Sequence, residues 1–389
     1  MKRKRLLIVT TFDFEGTRWG RNFPLARAFV RNGFDVTMLV TERRKSLKPY
    51  IIRECEGVKV VCFNAILPFR IRKLPIGIFT TSFVVRMIYA LFHKFDYVYS
   101  DCGETPCSGW PCLLNKKLYK SKYLSEYGDL LGKGGYYDLK SKLYQIIFGP
   151  YFLWAIQFFR TSADYVIVLS KVMGQYVQNE MGIREEKIIL VPGGSLPEKI
   201  LYTKPDDLNG RPLYLTYIGV DDYEIRGILP VLNVIRKNYS DTIKIRLYGR
   251  KLSENIIEQY SLKDIIIECG WVDVIKGQQD IRQTDIFLLM RENLLIGAMG
   301  WPNKLGDYLS FGRPVLISPY GDLCEFVAEY PEGFIVVNRN DEKQIETVLK
   351  SVLNSHINLT DMGKCNREIA ENVISWDARI RQLITAINR

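Results

Sequence analysis

The segment at residues 285–318, DIFLLMRENLLIGAMGWPNKLGDYLSFGRPVLIS, indicates the fold class most clearly. Its apolar run at 286–290 predicts a buried strand, and a Gly-containing loop follows. A short helix is predicted from Pro302 to Gly312, because proline suits a first helical turn and glycine commonly follows a last one. A second apolar run begins at Val315 and predicts the next strand. This order of strand, loop, helix and strand is typical of a β-α-β unit in a parallel α/β sheet.

The start of this helix is a candidate anion site. The backbone amides of Asn303, Lys304 and Leu305 are predicted to lie unpaired at the positive end of the helix dipole, where a phosphate binds well. Lys304 adds a full positive charge. Asp307, one turn further along the same face, can accept two hydrogen bonds from the cis-diol of a ribose. The pattern fits a nucleotide diphosphate lying along the helix. An ordinary β-α-β unit, with Lys304 and Asp307 as solvated surface charges, stays an open alternative.

Residues 302–315, PNKLGDYLSFGRPV, resemble the donor-site segment of the retaining glycosyltransferases of family 4, which have the GT-B fold. Members of that family commonly read Pro-x-Lys-x-x-Glu-Tyr-x-x-x-Gly-Lys-Pro-Val. The resemblance implies that Asp307 takes the place of the glutamate that holds the ribose and that Lys304 lies beside the nucleotide. Glu292 is implied as the sugar-facing carboxylate. The family's usual glutamate pair is not intact, because Gly300 stands eight residues after Glu292.

For the whole chain the resemblance implies an α/β fold of the GT-B class, with two Rossmann-like domains facing across a cleft. The length of 389 residues suits two domains, each of about 190 residues. We expect an N-terminal Rossmann-like domain on the acceptor side at 1–195, ending in a linker at 188–194. A C-terminal Rossmann-like nucleotide-sugar domain is expected at 196–375, and a C-terminal helix at 376–389 is expected to return to the first domain.

Candidate residues of the first domain follow its predicted strands. The loop after the strand at 5–10 carries Gly16 at the sheet edge where ligands bind in such folds, and a plain connecting loop is the alternative. Related enzymes often place a histidine or aspartate after the strand at 122–126, near the sugar. Neither histidine of this chain falls there, so Glu126 or Asp129 carries the role if it exists. A Gly-rich surface loop is the competing interpretation.

Three further candidates lie in the second domain. Gly219 ends a predicted strand at 213–219, and Arg226 begins the next helix, where the family usually has a base that binds the diphosphate. A guanidinium group holds two phosphate oxygens at once and keeps its charge, which suits this role. The family's other base is missing, since Val220 follows the glycine. Trp271 lies in the loop that commonly meets the nucleotide base in this fold.

The net charge of +11 is unevenly distributed along the chain. Residues 1–195 contain 30 Lys+Arg and 16 Asp+Glu, a net +14, whereas the rest contain 24 and 27, a net −3. Two apolar segments of the first half, 74–92 and 144–159, are flanked by bases and are too interrupted or too short to span a bilayer. They predict contact with an anionic membrane surface. Burial in the core of an α/β domain is the other interpretation.

Neither a metal site nor another cofactor is expected. The eight cysteines include no C-x-x-C pair, and only two histidines are present, so the cysteines indicate a reducing compartment. The N-terminal apolar run is too short for a signal peptide, which favours a cytoplasmic location. The chain also lacks an Asp-x-Asp motif, in agreement with a metal-independent reaction.

The function predicted from these features is that of a retaining hexosyltransferase. It moves a sugar from a nucleotide diphosphate sugar to a membrane-associated, lipid-linked glycan, in the synthesis of a cell-surface polysaccharide or glycolipid. The protein is expected to lie at the inner face of the cell membrane. Catalytic roles are assigned to Arg226, Lys304 and Glu292, with Glu126 or Asp129 contributing from the first domain.

Other functions stay open at this point. The chain could be a GT-B enzyme that acts on a soluble acceptor or epimerises a nucleotide sugar. It could also be an inactive partner in a glycan assembly complex, because the glutamate pair is broken. Nucleic-acid binding is not expected, since no base-stacking motif accompanies the positive charge.

Overall fold

A computed structural model describes the fold over residues 3–14, 20–42, 48–64, 81–101, 103–205, 210–290 and 294–388. The chain divides into two compact units. The first unit comprises Met1–Gly193, Ala298–Trp301 and Trp376–Arg389, and the second comprises Gly194–Gly297 and Pro302–Ser375.

The first unit is built on one mixed sheet. Its strands are β1 (Arg5–Asp13), β2 (Asp35–Glu42), β3 (Tyr50–Cys55), β4 (Val58–Asn64), β5 (Tyr97–Ser100), β6 (Lys122–Tyr127), β7 (Tyr165–Val168) and β8 (Ile188–Leu190). They lie in the order β3-β4-β2-β1-β5-β6-β7-β8, and only the pairing of β3 with β4 is antiparallel among these strands. The central strands are buried along nearly their whole length, as in parallel sheets that helices cover on both faces.

Helices connect the strands of this unit. They are α1 (Asn22–Arg31), α2 (Thr81–Phe92), α3 (Pro106–Tyr119), α4 (Lys142–Ile147), α5 (Gly149–Ser162) and α6 (Lys171–Met181). The alternation of strand and helix predicted from the sequence is therefore present. The segment at 188–190, predicted as part of the linker, is instead strand β8, which pairs with β7.

The second unit has a parallel six-stranded sheet in the order β11-β10-β9-β12-β13-β14. Its strands are β9 (Leu213–Val220), β10 (Ile243–Gly249), β11 (Ile266–Gly270), β12 (Ile286–Leu289), β13 (Val315–Ile317) and β14 (Phe334–Val336). The helices that follow β8 in the chain are α7 (Ile225–Asn238), α8 (Glu254–Gln259), α9 (Gln278–Ile281), α10 (Leu295–Met299), α11 (Asn303–Ser310), α12 (Leu323–Glu329), α13 (Glu342–Leu353), α14 (Leu359–Asn372) and α15 (Trp376–Ile387).

The C-terminal helix α15 is part of the first unit and packs against α1. Arg31 of α1 donates to Asp377 at the start of α15, with Nε and Oδ1 2.8 Å apart. At the other end, Lys122 of β6 donates to the carbonyl oxygen of Ile387 at 3.0 Å. The last helix thus returns to the N-terminal part of the chain.

The two predicted apolar segments form helices that are partly core and partly surface. Residues 81–92 of the first segment form α2, which buries Arg86 and Tyr89 but exposes Phe92, and its residues 74–80 lie outside the described part. The second segment forms α4 and α5. In the described ranges, no helix combines the length and the apolar character that crossing a bilayer requires.

Candidate functional site

Helix α11, the predicted anion-binding helix, is fixed against the end of β9. Tyr308 stacks on Phe287 with ring centroids 4.1 Å apart, and its hydroxyl accepts a hydrogen bond from the amide of Ile218 at 2.9 Å. The helix begins at Asn303, and Pro302 is its extended N-cap residue. Helix α11 therefore packs at the carboxyl end of a parallel strand, where ligands bind in open α/β sheets.

One predicted phosphate donor is already used within the helix. The amide of Leu305 donates to the carbonyl oxygen of Pro302 at 3.0 Å, and the Leu305 side chain is fully buried. The prediction that this amide is unpaired is therefore wrong, because the first turn closes on the N-cap carbonyl. Asn303 is exposed at the first position of the helix.

Lys304 extends from α11 to the end of β9. Its Nζ donates to the hydroxyl of Tyr217 at 2.8 Å and lies 3.4 Å from Oε2 of Glu224. A Cβ atom at Gly219, which has φ +83°, would lie 3.6 Å from the same Nζ. The structure therefore brings together Gly219 and Lys304, two residues predicted for one site, and adds Tyr217 and Glu224, which were not predicted.

Asp307 lies one turn beyond Lys304 on α11. Part of the residue reaches solvent, but burial raises the pKa of its carboxyl to about 7. No side-chain hydrogen bond to Asp307 is formed by any residue within the described ranges. A carboxylate desolvated in this way gains strongly from a ligand that donates hydrogen bonds to it.

We predict that donor affinity depends on pH through Asp307. A carboxylate must be ionised to accept both hydroxyls of a diol, so the dissociation constant of a nucleotide sugar should rise up to tenfold per pH unit as pH falls below about 7. Asp307→Asn should bind roughly tenfold more weakly at pH 8 and lose this pH dependence. Calorimetry from pH 5.5 to 8 measures both, and a nucleotide sugar is the suitable ligand because its diester diphosphate does not titrate there. Equal affinity of variant and parent at pH 8 would leave Asp307 a surface charge.

Arg226 lies in the first turn of α7 and is exposed. Its carbonyl oxygen accepts a hydrogen bond from the guanidinium of Arg339 at 3.2 Å. Both arginines line a surface groove of about 630 Å³ beside α7. Two guanidinium groups therefore border one concave surface of the second unit.

Of the two other candidates in the second unit, Trp271 and Glu292, the structure describes only Trp271. Trp271 follows Gly270, which has φ +73°, and is 75% exposed at the carboxyl end of β11. An indole so exposed is free to stack on a flat ligand such as a nucleobase. Glu292, together with Gly16 of the first unit, lies outside the described residues.

In the first unit, Glu126 forms a buried ion pair. Its Oε2 lies 2.5 Å from Nε of Arg21 and also accepts a hydrogen bond from the Tyr99 hydroxyl. The same guanidinium donates to the carbonyl oxygens of Val191 and Pro192 at 2.8 and 3.0 Å. Burial alone lowers the pKa of Arg21, but Glu126 and Tyr99 raise it above its ordinary value. These contacts favour a structural role for Glu126, which ties β6 to the chain segment after β8.

Asp129, the alternative to Glu126, is exposed in the bend after β6. Its carbonyl oxygen accepts a hydrogen bond from the amide of Leu131 at 2.8 Å, which tightens this bend. Asp129 is therefore accessible to solvent, whereas Glu126 is buried in the protein interior.

Asp101 is a candidate that sequence analysis missed. It directly follows β5, is 7% exposed, and accepts a hydrogen bond from Asn22 at 2.8 Å. Burial raises the pKa of Asp101 to about 7, a hydrogen bond from Thr10 opposes the shift, and the carboxylate of Glu126 adds to it. The group can therefore hold or release a proton at neutral pH. The sequence signal that could have identified Asp101 is an acidic residue at the end of a predicted strand. The same signal identified Glu126.

Comparisons with known proteins agree with this architecture. Residues 23–195 match the family model Glycosyltransferase Family 4. Sucrose-phosphate synthase from Thermosynechococcus elongatus is similar over 99% of this chain and 98% of its own, with a TM-score of 0.73 and 16% identity. HepE from Anabaena, in complex with UDP and glucose, is similar over 99% and 100%, with a TM-score of 0.68 and 12% identity.

A glycosyltransferase from Rickettsia africae is similar over 99% of this chain and 98% of its own, with a TM-score of 0.64 and 14% identity. No curated protein sequence matches this chain. The fold is thus the GT-B fold predicted from the sequence, and the chain is a GT-B glycosyltransferase, an enzyme that transfers a sugar from a nucleotide sugar. The family model that matches residues 23–195 is that of glycosyltransferase family 4, the family whose donor-site segment residues 302–315 resemble.

Proposed function

We propose that this glycosyltransferase transfers its sugar, with retention, to a lipid-linked glycan at the inner face of the cell membrane, in the synthesis of a surface polysaccharide or glycolipid. The donor-binding part of this proposal rests on the residues at the start of α11. There Lys304 meets the end of β9, and a carboxylate without a described partner, Asp307, follows one turn later.

Each donor-site residue has a distinct proposed role. The amides of Asn303 and Lys304, together with the side chains of Lys304 and Arg226, bind the diphosphate, and Asp307 accepts the two ribose hydroxyls. Trp271 stacks on the nucleobase. Glu292 faces the sugar, a role that is proposed from the family resemblance.

The proposed reaction forms a bond between an acceptor oxygen and the anomeric carbon as the bond from that carbon to the diphosphate breaks. The acceptor hydroxyl lies on the same face as the departing oxygen, and its proton passes to the leaving diphosphate. Negative charge grows on the diphosphate during this step, so fixed positive groups stabilise the transition state more than the ground state. This arrangement is proposed to work without a metal ion.

The part of the proposal that concerns the acceptor rests on an exposed apolar face of the first unit. In α4 no residue is buried, and Leu143, Ile146 and Ile147 project from one side at 67, 73 and 57% exposure. Leu139 and Trp154, before and after α4, are also exposed, at 70 and 45%. A helix of a globular protein usually turns such side chains inward, so this face is suited to an apolar partner.

The charges around this face favour a lipid surface as the partner. The flanking residues Lys133, Lys140 and Lys142 are all exposed. Lysine is depleted in protein–protein interfaces, whereas helices that lie on anionic membranes combine lysine with leucine, isoleucine and tryptophan. We name residues 139–154 the apolar face, and we propose that it places the first unit against the membrane that holds the acceptor.

Sedimentation with vesicles tests this proposal. The parent protein should bind vesicles that contain acidic lipid, more weakly at high salt but still measurably, because apolar insertion is less sensitive to salt than the attraction of lysines. The triple variant Leu143→Ser, Ile146→Ser and Ile147→Ser should bind at least about tenfold more weakly, since each change removes buried CH₂ groups.

A matched control is Leu201→Ser, which removes an equally exposed leucine, 65% exposed, from the second unit. Its vesicle binding should equal that of the parent. If the parent stays in the supernatant with acidic vesicles at low salt, a soluble acceptor is the better assignment. If parent and triple variant bind equally, another surface meets the membrane.

A further inference from the structure

The loop between β9 and α7 carries an unexpected number of carboxylates. Residues 221–224 read DDYE, so three of the four are acidic and none is basic. The loop lies beside Lys304 at the carboxyl end of β9, where the proposed donor diphosphate binds. Acidic side chains at such a place weaken anion binding unless they serve the site in another way.

Glu224 already pairs with Lys304, the positively charged side chain of the site. Its Oε2 lies 3.4 Å from Nζ of Lys304, and both groups bond the Tyr217 hydroxyl, which accepts from Lys304 and donates to Glu224. The side chains of Lys304 and Glu224 are only 13 and 20% exposed. An ammonium group so buried requires a nearby negative or hydrogen-bonding partner to remain charged.

The side chain of Asp221 accepts hydrogen bonds from backbone amides of the same loop. Its Oδ1 accepts hydrogen bonds from the amides of Tyr223 and Glu224 at 3.0 and 2.9 Å. These amides directly precede α7, at the end of the helix where a phosphate is bound in many nucleotide sites. A carboxylate of the chain therefore lies where a ligand anion would accept the same hydrogen bonds.

From these contacts we propose that Glu224, supported by Asp221, acts as an internal anion that competes with the diphosphate for Lys304. The inference rests on the proposed donor site. Before the donor arrives, Glu224 keeps Lys304 charged and held toward β9. After transfer, the carboxylate repels the released nucleoside diphosphate, which carries more negative charge than the donor, and so promotes its release. Glu224 is thus a positioning residue that acts through Lys304.

The test is Glu224→Gln, which keeps the shape of the side chain and its capacity to accept from Tyr217. We expect the dissociation constants of UDP and of inorganic pyrophosphate to fall about tenfold, because a negative charge close to the bound anion is removed. The donor KM and the inhibition constant of the released diphosphate should fall with them, whereas kcat should not rise. A residue with only a structural role would give weaker binding when replaced.

Asp361→Asn is the control, since it removes the same charge from a solvent-exposed pair with Lys364 in α14 of the second unit. Its dissociation constants should stay within about twofold of the parent's. If Glu224→Gln does not fold, Asp221→Asn takes its place and should also bind pyrophosphate more tightly. Binding by the folded variant that is equal to or weaker than the parent's overturns the inference. If the parent binds neither pyrophosphate nor any nucleoside diphosphate, the proposed donor site itself is wrong.

Discussion

Replacing Lys304 with alanine should lower kcat by about 10² or more while the protein stays folded. The ammonium group lies at the start of α11, where the proposed diphosphate gains negative charge as the sugar leaves, and such a charge matters most in the transition state. Arg226→Ala should have an effect of the same order, because its guanidinium is the second full charge proposed to act on the diphosphate. Steady-state kinetics with the preferred donor measure both effects.

The matched control is Lys364→Ala in α14, where the lysine is exposed and pairs with Asp361 at 3.2 Å. Its kcat should be close to that of the parent, since an exposed surface pair contributes little. Turnover that is unchanged in both Lys304→Ala and Arg226→Ala would remove the assignment of the donor site.

Replacing Glu126 with alanine should cost about 3–5 kcal/mol of the free energy of unfolding of the first unit. The change leaves the Arg21 guanidinium buried without its carboxylate, and the carbonyl oxygens of Val191 and Pro192 only partly compensate its charge. The thermal transition of the protein should fall by roughly 6 °C or more. Differential scanning calorimetry measures this fall.

Asp377→Ala provides the comparison, because it breaks a pair with Arg31 in the same unit in which both side chains are about one-third exposed. That loss should be no more than about 1 kcal/mol. A Glu126→Ala variant as stable as the parent but without transferase activity would contradict the structural role and restore Glu126 as a catalytic candidate.

The sequence predicted those elements whose local pattern agrees with the final fold. The run at 286–290 and the helix at 303–310 follow directly from apolar periodicity and from the proline and glycine at the ends. Strand β3 was missed because its middle residues, such as Arg53 and Glu54, are exposed at the sheet edge. Its hairpin turn, Glu56-Gly57 with φ of 48° and 77°, carries glutamate where asparagine or aspartate is the usual signal.

For the site, the sequence predicted which residue types belong together but not what holds them. Gly219 and Lys304 are 85 positions apart in the chain, and their proximity followed only from the family resemblance. The partners Tyr217 and Glu224 depend on the direction that the Lys304 side chain takes, which tertiary packing decides. Likewise, nothing local distinguishes Glu126, buried against Arg21, from an accessible acid.

Both the donor site and the lipid acceptor are tested by measuring the release of nucleoside diphosphate from a panel of nucleotide sugars, with and without a membrane lipid extract. We expect that at least one donor is cleaved, that the lipid extract increases the rate, and that the labelled sugar then partitions with the lipid. Lys304→Ala should lower this rate by about 10² or more. Release from no donor would exclude the proposed sugar transfer, and an equal rate in the parent and in Lys304→Ala would exclude the proposed donor site.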